Sequence, residues 1–169
     1  MIRVAALAAL LPQAVAAQCV YPAEPFLACT MQGGTKELSV CVEGRTVRYA
    51  FGPVGGKPEL VLPRDVTEVD YTPWPGAGRT IWEEVRFENL GYTYLVHGWV
   101  DRVPEEESPG DPIRPMGGGV VVMRGDETLA EIACDAESAD FIWTDAISHA
   151  MAEAGRCLDQ YDRVWRDCE

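Results

Sequence analysis

Short apolar–polar alternations run through this chain as far as Cys134, separated by turns rich in glycine and proline. Residues 27–32 and 36–43 read as paired strands about Gly33-Gly34-Thr35. Residues 46–51 alternate, with Val47, Tyr49 and Phe51 on one face and Arg48 on the other. Residues 59–62 and 66–72 follow as shorter candidates, the second closed by the loop Pro73-Trp74-Pro75-Gly76-Ala77-Gly78. In 82–88, Val85 and Phe87 face one way while Glu84, Arg86 and Glu88 face the other. Beyond Asn89-Leu90-Gly91, residues 92–100 form a long strand. Gly117-Gly118-Gly119 then leads into 120–124, a turn at Gly125-Asp126, and 128–134. Period-two patterning broken by such turns predicts a mainly β domain: an antiparallel barrel or compact sandwich of about eight strands.

The period changes from residue 138 onward. Trp143, Ile147, Ala150, Met151, Ala154, Leu158, Tyr161 and Trp165 recur every three or four residues, which predicts an amphipathic C-terminal helix over 138–168. Ser138 or Asp140 is placed to cap its start, and Gly155 to break or bend it.

The N-terminus sets an expected destination. Arg3 precedes an apolar run over 4–17, interrupted only by Pro12 and Gln13 and ending in Val15-Ala16-Ala17. This pattern predicts a signal peptide over 1–17 and a single mature domain over 18–169, delivered to a periplasm or beyond the cell. Gln18 stands where a lipoprotein signal wants a small residue before its cysteine, which argues against lipidation at Cys19. No later stretch is long and apolar enough to span a bilayer as a helix.

Export makes the cysteines disulfide candidates: Cys19, Cys29, Cys41, Cys134, Cys157 and Cys168. Cys29 and Cys41 lie symmetrically about Thr35, and directly opposed strand residues have Cβ atoms ~4.5–5.5 Å apart, near what a disulfide requires. A Cys29–Cys41 bond is therefore expected. A continuous helix would set Cys157 and Cys168 ~17 Å apart. Both would then have to reach Cys19 and Cys134, in an order the spacing leaves open. The absence of a C-x-x-C pair gives no support to a redox motif or a tetrahedral zinc site.

Charge narrows the partners. Net charge is −13, and loss of Arg3 with the leader would make it −14. So acidic a surface disfavours nucleic acid and anionic lipid and suits a cationic envelope or secreted protein. Solubility alone also explains it. Residues 104–115 are acidic and proline-rich, with Glu105, Glu106 and Glu107 near the start, and read as an exposed excursion.

Catalytic chemistry is thinly represented. His97 shares a strand face with Thr93, Leu95 and Trp99; it suits a general base or a polar handle, and equally a half-exposed strand histidine beside aromatics. No G-x-S-x-G elbow occurs, and the glycine triplet lacks the Lys-Ser/Thr of a phosphate loop. Asp145, His149 and Glu153 fall on one helical face, a weak metal pattern that a solvated face explains as well. Asp101, Asp111 and the three adjacent glutamates lack the spacing of a calcium loop. No metal, cofactor or catalytic residue is assigned. Trp74, in its Pro-Trp-Pro-Gly loop, is the aromatic most suited to contact a partner.

The segment from Cys29 through Phe51, with Leu38-Ser39-Val40-Cys41 and Tyr49-Ala50-Phe51-Gly52, resembles a family of small uncharacterised exported proteobacterial proteins. Pro58-Glu59-Leu60 and the strand pair over 87–94 extend that resemblance, which brings no known activity. More remotely, the expected architecture is similar to the periplasmic and membrane-bound inhibitors of C-type lysozyme, which are small disulfide-bonded barrels. Their inhibitory motifs, Ser-Gly-x-x-Tyr and Tyr-x-x-x-Thr-Lys-Gly, are absent, so the likeness transfers no inhibitory residue. The expected function is a non-catalytic binding module, with inhibition of a cationic hydrolase such as lysozyme as its most specific form. Its contacts would be Trp74, Glu105, Glu106 and Glu107. The alternatives are a small hydrolase using His97 with nearby carboxylates, and a structural envelope protein.

Overall fold

A computed structural model describes residues 19–102 and 115–169. Hairpins build nearly all of it. The strands β1 (Glu24–Met31), β2 (Lys36–Glu43), β3 (Thr46–Pro53) and β4 (Leu60–Asp65) pair antiparallel in sequence order. A second antiparallel sheet forms in the same way: β5 (Asp70–Thr72), β6 (Thr80–Asn89), β7 (Tyr92–Asp101), β8 (Met116–Arg124) and β9 (Glu127–Ala133). The chain then returns to the first sheet. β10 (Asp140–Phe141) pairs with the free edge of β1, setting Leu27 opposite Phe141. The fold is mainly β, as the alternation predicts, but its sheets do not close into a barrel.

The sheets share one apolar core. Leu38, Val40, Val47 and Tyr49 from the first sheet meet Val85, Phe87, Val96 and Val120 from the second, all essentially inaccessible to solvent. Tyr49 packs on Phe87 with ring centroids 5.7 Å apart, and Phe26 meets Phe141 edge-on at the same distance. Close approach between the sheets explains one glycine: a Cβ at Gly98 would overlap the Phe141 ring. A Cβ at Gly118 would lie 2.5 Å from the His97 carbonyl on the adjacent strand, and 3.0 Å from Leu27 Cδ2 across the core.

The segment over 66–72 is not one strand. Asp65 accepts from the Thr67 N–H and Glu68 reaches back to the Asp65 N–H, a capping box that winds Val66–Glu68 into one 3-10 turn before β5.

The expected Cys29–Cys41 bond does not form. The turn occupies residues 32–35 and Met31 faces Lys36, so Cys29 lies opposite Leu38, while Cys41 lies opposite Pro25 beside a bulge. Symmetry about Thr35 placed the turn too late. Cys41 instead bonds Cys19, and Cys29 bonds Cys134, with Cα atoms 5.4 and 5.7 Å apart. The turn is held from outside the hairpin: Asp135 accepts from the N–H groups of Gly33 and Gly34 at 2.9 and 2.7 Å.

The C-terminal helix is likewise much shorter than 138–168. Its helical part is α1 (Ala146–Glu153), after which Gly155 takes a φ of 77° and ends it. The chain then forms a small hairpin, β11 (Arg156–Leu158) with β12 (Trp165–Asp167). That interruption lets Cys157 and Cys168 bond each other, Cα to Cα 5.1 Å, rather than reach Cys19 and Cys134. Three disulfides fit a chain that folds under oxidising conditions. Among the described residues no helix is long and apolar enough to cross a membrane.

Two outcomes test this architecture. The Cys29–Cys134 bond closes a separation of 105 residues and the Cys157–Cys168 bond one of 11, worth about 5 and about 3 kcal/mol on the chain-entropy account. Paired alanine replacement should therefore lower the thermal midpoint more for the first bond. Gly98→Ala should cost ~1–3 kcal/mol by overpacking against Phe141, measured by urea denaturation.

Candidate functional site

The alternation in β6 carries a charged residue inward. Ile81, Glu83, Val85 and Phe87 all face the core, and Glu83 is only 2% exposed. Its neighbour across the hairpin comes from β5: the buried Tyr71 hydroxyl donates to Glu83 Oε1 at 2.7 Å. Ser148, in the first turn of α1, points its hydroxyl at the Tyr71 oxygen from 3.4 Å. Glu83 Oε2 is buried and makes no hydrogen bond of normal geometry.

Burial is the main influence on this carboxyl and lifts it to about 7, well above the ordinary glutamate range. The Tyr71 hydroxyl opposes the rise, the negative charge of Asp145 adds to it, and the Trp74 backbone and Trp143 indole oppose it weakly. Tyr71 is also pushed far up, first by burial and then by Glu83. No cation pairs with Glu83 among the described residues, so around neutral pH the site holds a proton close to its tipping point.

Aromatic side chains enclose the group. Trp74 and Trp143 meet edge-on with centroids 5.8 Å apart, and Trp165 stacks on Tyr71 while its indole donates to the Tyr71 carbonyl at 2.9 Å. Trp74 is partly buried rather than free. Its indole donates to Ala77 O at 3.0 Å, and the Arg102 guanidinium lies 4.8 Å above its ring. Trp143 is 48% exposed, and Ile142, Tyr161 and Val164 are other large apolar residues open to solvent in the segments that meet here. Arg163 donates to the Pro73 carbonyl, tying the hairpin loop to the Trp74 loop. A cleft of about 190 Å³ opens beside Tyr71 and Trp165. A larger one, about 350 Å³, lies between Cys19, Pro25, Thr30, Glu37 and Asp140 and shares no residue with this cluster.

Of the residues singled out by sequence, Trp74 and Asp145 come together at Glu83. His97 does not. It is half-buried on the opposite face of the second sheet, between Glu84 on β6 and Gly119 on β8. Burial lowers its basicity, against the pull of Glu84 and Glu131. Among the described residues no carboxylate hydrogen-bonds its ring. His149 pairs with Glu153 at 3.3 Å on an exposed helix face, and Asp101 accepts from Thr80 at 2.5 Å. No group of three potential metal ligands converges among the described residues. Glu105, Glu106, Glu107 and Asp111 lie outside the described residues.

Comparison with protein-family models, curated proteins and solved structures finds no match to this chain.

The buried carboxyl makes stability depend on pH with a definite sign. Between the ordinary carboxylate range and about 7 the unfolded chain releases this proton while the folded chain keeps it, so stability falls as pH rises. The full penalty reaches roughly 3 kcal/mol. Urea denaturation at pH 5 and pH 8 should show this loss in the native chain, with Glu83→Gln removing most of it.

Proposed function

We propose that this chain is a non-catalytic binding domain of an oxidising compartment and that its contact surface is the Trp74–Trp143 edge. The half-exposed Trp143, set against Trp74, is the observation that carries the reading. Large aromatic rings held by packing give contact area at little entropic cost and dominate many interfaces. Ile142, Tyr161 and Val164 are further exposed apolar side chains in neighbouring segments, and the cleft beside Tyr71, which Val164 lines, offers a recess for a partner side chain. The net charge of −13 favours a cationic partner and speeds its approach. A basic hydrolase such as lysozyme is therefore the first partner to try. The leader-like residues 1–17 and the three disulfides support export. A hydrolase built on His97 draws less support, because that ring lines neither cleft and has no partner acid in hydrogen-bond reach among the described residues.

The mature protein should bind a set of basic lysozymes or basic envelope proteins measurably at low salt. Trp143→Ala should weaken the complex by about tenfold or more. Raising salt from ~50 to ~500 mM should weaken it further, by slowing association. Surface plasmon resonance checks both. No binding by any basic protein at low salt would overturn the cationic-partner reading.

A further inference from the structure

The covering over Glu83 is built from irregular chain and a short helix. Ile142 to Asp145 belong to no strand or helix, and α1 has eight residues with no side-chain cap at its start. A helix that short draws little stability from its own hydrogen bonds. Its first turn is held by what it touches: Ile147 is buried in the core and Ser148 points at Tyr71, while Trp143 and Asp145, just ahead of the helix, lie at Glu83. Beneath them Glu83 is sealed off: one oxygen accepts from Tyr71, and the other makes no hydrogen bond of normal geometry, with the Trp74 backbone and Trp143 indole nearby. A protonated carboxyl suits that arrangement because it places no net charge in the core. An ionised one leaves a charge buried without a cation, facing Asp145 from the segment before α1 and Tyr71 from β5. Trp74 adds only a backbone group, and Glu84, the next acid along β6, faces the opposite side of the sheet.

We propose that Glu83 is a proton-operated latch beneath the Trp74–Trp143 surface: with its proton it keeps the segment over 142–148 seated on the second sheet, and without it the segment lifts to admit water. The seated form presents Trp143 ordered against Trp74, so it is the binding form. Rising pH therefore loosens the segment and weakens the contact surface. The link to partner affinity rests on the proposed binding function, whereas the motion of the segment stands without it.

The test reads the segment directly. Hydrogen exchange of the mature protein, corrected for its intrinsic pH dependence, gives the opening equilibrium of residues 142–148. It should rise by about tenfold per pH unit between pH 5 and the Glu83 midpoint, then level off, as one proton linked to opening requires. The ¹³C resonance of the Glu83 carboxyl supplies that midpoint, and ¹⁹F-labelled tryptophan, assigned with Trp143→Phe, should follow the same curve. Glu83→Gln should abolish the slope, and Asp145→Asn should move the midpoint to lower pH. A flat exchange profile in the native chain, or an unchanged slope in Glu83→Gln, overturns the latch. Should Glu83→Gln fail to fold, the native profile and the Asp145→Asn shift decide alone. Affinity for a basic protein, compared at pH 6 and pH 8, tests the link to binding. If no basic protein binds, the contact-surface reading fails while the exchange result still judges the latch.

Discussion

The return of residues 134–141 to the edge of β1 is the constraint on which the molecule depends. Two sheets laid down one after the other need something to hold the end of the second against the start of the first. Cys134 bonds Cys29, Asp135 grips the Gly33–Gly34 turn, and the Ser138 hydroxyl donates to the Thr30 carbonyl at 3.1 Å. β10 then adds a strand to β1 and lays Phe141 over Gly98. Five different interactions in eight residues fix where the chain goes next. It goes to Trp143, Asp145 and Ser148, the groups that close over Glu83.

That dependence joins the fold to its candidate site. The second sheet offers two unlike faces. Its outer face carries Trp82, Glu84, His97 and Trp99, and Gly117 leaves room for Trp99: a Cβ there would lie 2.6 Å from the indole. Its inner face is apolar except at Glu83, which needs a cover that supplies hydrogen bonds as well as bulk. The cover comes from the short segment that leads into α1.

Much of the fold was legible because hairpins are local. Alternation and glycine turns located β2 directly and β3, β6, β7 and β9 to within a few residues, since each signal lies within a few positions of its partner. The disulfides were not legible, because the Cys29 partner depends on how the chain comes back after nine strands. Even the local estimate failed once the turn fell between 32 and 35 rather than at Thr35. The C-terminal periodicity was real, but spacing cannot show that Gly155 turns the chain out of the helix; Ile147, Ala150 and Met151 are buried as the pattern requires. Glu83 is marked in the sequence by its phase. It lies in phase with Ile81, Val85 and Phe87, and the adjacent Glu84 made the pair look like surface charge. A charged residue in the apolar phase of a strand was the mark of the site.

The disulfide pattern has a consequence for biogenesis. The bonds are not consecutive: Cys29 lies inside the loop closed by Cys19 and Cys41, yet its partner is Cys134. A chain emerging from its N-terminus shows an oxidant the first three cysteines well before the fourth. Sequential oxidation would then join Cys19 to Cys29. To reach the native pairing, Cys29 must stay free while Cys19 bonds Cys41, or a misplaced bond must be exchanged. Oxidation in strict sequence order would cross-link the chain wrongly, so the native pairs call for folding ahead of oxidation or for thiol–disulfide exchange.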